Sequence, residues 1–200
     1  MFTGIIESMG TVRAVDQKGS NRVFTIESAI SSQLKEDQSV SHNGICLTVE
    51  AVSGNTHHLT AIEETLKKTN AGEWQPGTVL NLERCVTANS RFDGHFVSGH
   101  VDGTGTCISA EERDGSTVYQ IGFDEQFAPL VIEKGSICLN GISLTIFNVT
   151  QNSFSVAIIP YTATHTNIGL LKPGSRVNLE FDMIGKYLNR RLSLEGMITS

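Results

Sequence analysis

The segment Asn43-Gly44-Ile45-Cys46-Leu47-Thr48-Val49 returns 97 residues later as Asn140-Gly141-Ile142-Ser143-Leu144-Thr145-Ile146. The same register carries Thr69-Asn70 onto Thr166-Asn167, Pro76-Gly77 onto Pro173-Gly174, and Asn81-Leu82-Glu83 onto Asn178-Leu179-Glu180. At the front of each unit the offset is 95, pairing Gly4 with Gly99 and Gly10-Thr11 with Gly105-Thr106. A period this long is not a solenoid repeat but a duplicated domain, and 200 residues divide into two units of about 100. The expected organisation is one unit over 1–95, a second over 96–183, and a tail over 184–200.

Each unit reads as mostly strand. Apolar and β-branched segments run over 10–15, 23–28, 45–52, 57–62 and 79–83, and again over 105–110, 117–123, 142–149, 154–159 and 177–181. Gly, Asn, Asp and Ser punctuate them. About six short strands per unit predict a small closed barrel, since closure removes exposed strand edges. Short helices are expected over 31–35, 63–68 and 125–132. In the tail, Ile184, Leu188 and Leu192 fall on one stripe of a helix, which packs either on its own barrel or on a neighbouring subunit. The fold class is all-β: two similar six-stranded barrels plus a C-terminal amphipathic helix.

The formal net charge of −6 and the 6% aromatic content oppose a phosphate-tracking, base-stacking binder. No apolar run approaches the roughly 18 residues of a bilayer span. Met1 to Glu7 offers neither a basic region nor a long apolar stretch, so no secretory signal is expected and the chain reads as cytoplasmic. Cys46, Cys85, Cys107 and Cys138 form no C-x-x-C pair, and the histidines form no H-E-x-x-H pattern, so neither a disulfide framework nor a metal site is expected. The glycine-rich stretch 94–105 matches neither the P-loop nor the dinucleotide fingerprint, and no βαβ unit surrounds it. His57-His58 is expected on a hairpin surface; Glu7 and Asp102, at equivalent places, read as solvated turn carboxylates.

Alternation along a strand separates Ile45, Leu47 and Val49 from Cys46 and Thr48, and Ile142, Leu144 and Ile146 from Ser143 and Thr145. With the aliphatic faces inside, each barrel shows a small polar pair outward, beside a glycine that would let a ligand approach the backbone. The copies differ where a reaction would need them to. His100 stands where the first unit has Ile5, Ser143 where it has Cys46, and Lys134 where it has Asp37. Both units could hold one kind of small molecule, while only one brings a histidine and a lysine for proton transfer.

Several runs together resemble the riboflavin synthase family, α-chain type. They are Met1-Phe2-Thr3-Gly4-Ile5-Ile6-Glu7, the segment 43–49, Asn81-Leu82-Glu83-Arg84, the run 94–103, Gly141-Ile142-Ser143-Leu144-Thr145 and Asp182-Met183-Ile184-Gly185-Lys186-Tyr187. The resemblance covers nearly the whole chain. It implies two Greek-key lumazine-binding barrels and a homotrimer, with active sites between the N-terminal barrel of one subunit and the C-terminal barrel of another. It implies a dismutation without cofactor or metal, in which two molecules of 6,7-dimethyl-8-ribityllumazine exchange a four-carbon unit to give riboflavin and 5-amino-6-(D-ribitylamino)uracil.

By the same resemblance, substrate contacts fall in the first barrel on Gly4, Ile5, Ile6, Cys46, Leu47, Thr48, Thr60, Ala61, Ile62, Glu63, Glu64 and Thr65. In the second they fall on Gly99, His100, Val101, Lys134, Ser143, Leu144, Thr145, Ala157, Ile158, Ile159, Pro160, Tyr161 and Thr162. His100 with Thr145 is expected to assist deprotonation at the second-barrel ligand. Cys46 or Ser39, or a water they hold, is expected to add to the first-barrel ligand. The family usually carries Asp where this chain has Asn140, a residue that tolerates the same turn. The competing reading is a non-catalytic lumazine or flavin carrier of the luminescence-antenna type, and association with lumazine synthase is left open.

Overall fold

The computed structural model describes residues 1–196; the end of the expected tail, 197–200, lies outside the described residues. The first sheet contains β1 (Ser8–Lys18), β2 (Asn21–Ser28), β3 (Ser39–His42), β4 (Ile45–Thr48), β5 (Ala51–Ser53), β6 (Thr56–Ala61) and β7 (Val79–Arg84), with α1 (Glu63–Lys68) after β6. The second contains β8 (Gly103–Arg113), β9 (Ser116–Gly122), β10 (Ser136–Leu139), β11 (Ile142–Phe147), β12 (Ser153–Ile158) and β13 (Arg176–Phe181), with α2 (Pro160–His165) after β12. Helix α3 (Met183–Leu194) is the last element of the described residues.

Strands β10-β11-β12-β9-β8-β13 close a barrel, and the first sheet runs β4-β3-β7-β1-β2-β6-β5. Its outer members are two pieces of one strand: Val49 N–H donates to Gln38 O, and Glu50 N–H to His58 O, so the ring closes across the break. The same device recurs in both units, with Asp37 N–H donating to Val49 O and Lys134 N–H to Ile146 O. Sequence reading missed β3 and β10. Each has only four residues, too few for alternation to register.

Alternation places the cores. Phe24 and Ile26 of β2, Leu59 of β6, and Leu80 and Leu82 of β7 fill the first barrel; Ile121, Phe154, Val156 and Leu179 fill the second. His57, expected on a surface, is fully buried. Its Nε2 lies 2.8 Å from His42 Nε2 and its Nδ1 2.8 Å from Ser31 Oγ, which lies 2.8 Å from Ser28 Oγ. His42 Nδ1 is 3.1 Å from Val40 O, which can only accept. That fixes one direction for the chain: with both rings neutral, His57 donates to His42 and Ser31 donates to His57. Burial first, and then the neighbouring imidazole, holds His42 down to about 3; burial chiefly holds His57 at about 4.

The barrels meet across a pseudo-dyad of asparagines. Asn43 Oδ1 accepts from Asn81 N–H and Asn167 Nδ2, both at 2.8 Å. Asn140 Oδ1 accepts from Asn178 N–H at 2.8 Å and Asn70 Nδ2 at 3.5 Å. Asn81 Nδ2 donates to Asn140 O and Asn178 Nδ2 to Asn43 O, each at 2.9 Å. At the centre, a Cβ on Gly44 would lie 2.8 Å from Gly141 N, and one on Gly141 2.8 Å from Gly44 N. These glycines therefore serve barrel-to-barrel packing and a left-handed turn (φ 81° and 83°), not the ligand approach expected of them.

Candidate active site

Two arms frame the site. Residues 2–6 lead into β1 and residues 97–101 into β8, and the arms pair where Phe2 N–H donates to Val97 O at 2.8 Å and Val97 N–H to Phe2 O at 3.2 Å. Each arm is gripped by a carboxylate on the last strand of its own unit. Glu83 accepts from Thr3 N–H and Oγ1 at 2.7 Å and from Gly4 N–H at 2.9 Å. Glu180 accepts from Ser98 N–H and Oγ at 2.7 Å and from Gly99 N–H at 2.9 Å. Burial raises the Glu83 carboxyl, and these donors pull it back.

The arms then cross to the opposite barrel. Gly4 O accepts from Ser143 N–H, and Gly99 O from Cys46 N–H, each at 2.8 Å. Both glycines have positive φ (79° and 81°), and a Cβ would fall 2.6 Å from Ser143 Cβ or 2.5 Å from Cys46 Cβ. Ile6 packs against the second core and Val101 against the first. The polar pair of each barrel is thus roofed by the other unit's arm. The expected grouping is exchanged within one chain: Gly4, Ile5 and Ile6 stand with Ser143 and Leu144, while Gly99, His100 and Val101 stand with Cys46. His100 and Thr145 accordingly belong to different pockets of the chain, not to one.

At the second barrel a cavity of about 450 Å³ lies among Ser143, Leu144, Tyr161 and Thr162, expected there, and Gly4, Ile5 and Ile6, expected at the first barrel, together with Thr164, His165 and Thr166. That size suits a small-molecule site. Helix α2 supplies its far wall; Pro160 starts the helix, and the Tyr161 and His165 rings stack with centroids 4.0 Å apart. Thr145 faces outward and is exposed; Ala157, Ile159 and Pro160 are exposed beside it. Ala61 and Ile158 are buried in the two cores and can offer a ligand only backbone groups. Lys134, at φ 63°, holds its ammonium 5.1 Å from the Phe147 ring centroid, on the outward side of β11.

At the first barrel, Ile45 and Leu47 are buried, while Cys46 is half-buried and Thr48 exposed, as alternation required. Ile62, Glu63, Glu64 and Thr65 open α1, and Thr60 precedes them on β6. Burial raises the Cys46 thiol and the neighbouring Ser39 hydroxyl partly offsets it, so Cys46 is a neutral thiol near pH 7. The His100 imidazole is exposed, with no hydrogen-bond partner among the described residues.

One residue escaped the sequence. His95 Nδ1 lies 2.7 Å from Ser143 Oγ, its N–H donates to Thr3 O at 3.1 Å, and burial keeps its imidazole below the free value. It precedes the point where the repeat registers, so no partner position marked it. Glu7 and Asp102 are paired, not freely solvated: Glu7 with Arg84 (Nε to Oε2 2.9 Å) and Asp102 with Lys186 at 2.6 Å.

The lumazine binding domain model matches residues 3–85 and again 98–182. The riboflavin synthase of Actinobacillus pleuropneumoniae is 42% identical over 193 residues, covering 96% of this chain and 90% of that protein. The riboflavin synthase of Mycobacterium bovis is 36% identical over 98% of this chain and all of its own length. Among solved structures, LumP complexed with riboflavin superposes with a TM-score of 0.85 at 22% identity, covering 90% of this chain and 99% of that one, a likeness of fold. Two matched domains, and relatives this similar along almost the whole length, place the chain in the lumazine-binding riboflavin synthase family.

Proposed function

We infer that this chain is a riboflavin synthase, a transferase that moves a four-carbon unit between two molecules of 6,7-dimethyl-8-ribityllumazine. The reading rests on one observation: two pockets built alike, each roofed by a crossed arm, carry unlike side chains. One has Cys46, Thr48 and His100; the other has Ser143, Thr145 and Ile5. A dismutation needs two copies of one ligand in different roles, and holding both rings in attack geometry supplies roughly 7–11 kcal/mol of the barrier.

The ring delocalises the anion left by its 7-methyl group, so a modest base suffices, with backbone N–H donors for the developing charge. His100, exposed at the first pocket, is the base for the ring that a facing subunit's second barrel brings against it, and Ser39 and Cys46 stand where a nucleophile or its water adds to the first-pocket ring. Ser143, oriented by His95, and Thr145 bind the second ring, with Lys134 at the rim. Reactive closure joins the first barrel of one subunit to the second barrel of another in a homotrimer. The exposed Ile184, Tyr187, Leu188 and Leu192 of α3 and the apolar groove at Leu130 and Ile132 provide its contact surface. The reaction is cytoplasmic in this reading.

The test is direct. Purified chain incubated with the lumazine should yield one riboflavin for every two substrate molecules consumed, and sedimentation should give three chains per particle. Tight lumazine binding without riboflavin would establish the antenna-type carrier in its place.

A further inference from the structure

We propose that Lys186 is a positioning residue for this reaction: from α3 it anchors Asp102 and thereby sets the arm that carries His100. The proposal deepens the functional reading above and rests on it. The His100 side chain is exposed and its ring makes no hydrogen bond among the described residues, so its place is set chiefly by the backbone on either side. Upstream, Glu180 grips Ser98 and Gly99. Downstream, Asp102 N–H donates to Leu179 O at 2.9 Å, and Asp102 Oδ2 accepts from Phe181 N–H at 2.8 Å. Lys186 Nζ then donates to both Asp102 oxygens, at 2.8 and 2.6 Å. The two side chains are only 29% and 21% exposed, so water screens the pair less than it would a surface ion pair.

The other half makes the role of α3 plain. There the equivalent acid, Glu7, is held by Arg84 from β7, so the barrel itself supplies the cation. The position equivalent to Arg84 in the second unit is Phe181, a core residue. The second barrel has no cation to give at that place, and α3, which lies outside both barrels, provides it. The arm over the first pocket is therefore tied to the same helix whose apolar face is free for subunit contact, so seating α3 also seats His100.

The experiment compares K186M, K186R, D102N and the K186M/D102N double variant as full-length protein. Turnover is measured against KM, and the His100 ring signal is followed by NMR. K186M should lower kcat about tenfold with KM within twofold, the signature of a misplaced group, not lost binding. K186R should restore most of the turnover and return the His100 signal to its wild-type position. The double variant should be no slower than the slower single one, because both remove one interaction. Wild-type kcat and an unmoved His100 signal in K186M would overturn the proposal, as would losses that multiply in the double variant. Should K186M fail to fold, D102N carries the same test, since its amide oxygen still accepts from Phe181 N–H. A wild-type chain that makes no riboflavin would sink the functional reading instead; the His100 signal alone then decides whether Lys186 holds the arm.

Discussion

The two barrels share one frame and differ in what fills it. In the first, Ser28, Ser31, His57 and His42 run as a hydrogen-bonded chain through the interior. In the second, Phe123, Phe154 and Leu139 occupy the places of Ser28, His57 and His42, and the Phe123 and Phe154 rings pack 5.7 Å apart. Outside, the contrast is between Cys46 under His100 and Ser143 under Ile5. Strand order, arm clamps and inter-barrel asparagines were kept in both copies, because each belongs to a symmetric set in which one change orphans a partner. The core interior and the pocket side chains have no counterpart across the dyad to satisfy, and there the copies diverged, each pairing its polar groups within its own half of the structure or replacing them by apolar ones.

The sharpest break of that comparison is H100Q. Glutamine cannot take up a proton, so turnover should fall by about 10²-fold or more, followed by riboflavin absorbance. Wild-type kinetics would remove His100 from the mechanism and leave Cys46 against Ser143 as the difference between the pockets.

The second test converts the first core into the second with H42L and H57F together. Both imidazoles are held below their free value, so the folded chain stays neutral while the unfolded chain gains protons as pH falls below about 6.5. Stability is therefore lost on acidification from that point towards pH 4. The wild type should lose about 2 kcal/mol between pH 7 and 5.5 from these two groups, and the double variant should lose that dependence, read from urea midpoints at each pH. A slope unchanged by the substitutions would show that the rings take up protons in the folded state.

C46S copies the second pocket into the first. Because the thiol is neutral, turnover should change by no more than about fivefold; loss of 10²-fold or more would make sulfur itself the nucleophile. The smallest effect is expected of N140D. The Oδ1 of Asn140 accepts both bonds, a role a carboxylate oxygen fills equally, and its partners are asparagines between the barrels, not the ligand pocket. Turnover within about twofold of wild type is expected by the same assay. A large rise would mean that the acid usual in the family tunes the base through the interface.

Much of the site was legible because duplication acted as an internal control. Cys46, Thr48, Ser143 and Thr145 emerged from strand alternation seen twice, and His100 and Lys134 from mismatches between copies. His95 did not emerge, since it precedes the repeat, and His57 was misplaced, since a polar residue on an inward position looks like a surface residue until its partners are known. The asparagines Asn43, Asn70, Asn81 and their counterparts marked the register without disclosing their use, which is to hydrogen-bond one another across the dyad.

The sequence by itself determined the duplication, the barrel class, the inward and outward faces of the strands around Cys46 and Ser143, and the positions at which the two halves differ, because these follow from local periodicity and from comparing one half with the other. Only the tertiary structure decided which arm roofs which pocket and that Lys186 reaches Asp102. Those contacts join residues far apart in the chain, Gly99 with Cys46, Lys186 with Asp102 and Gly4 with Ser143, through backbone carbonyls and carboxylates that leave no periodic trace. They are chosen by how the two barrels pack on each other, with Gly44 against Gly141.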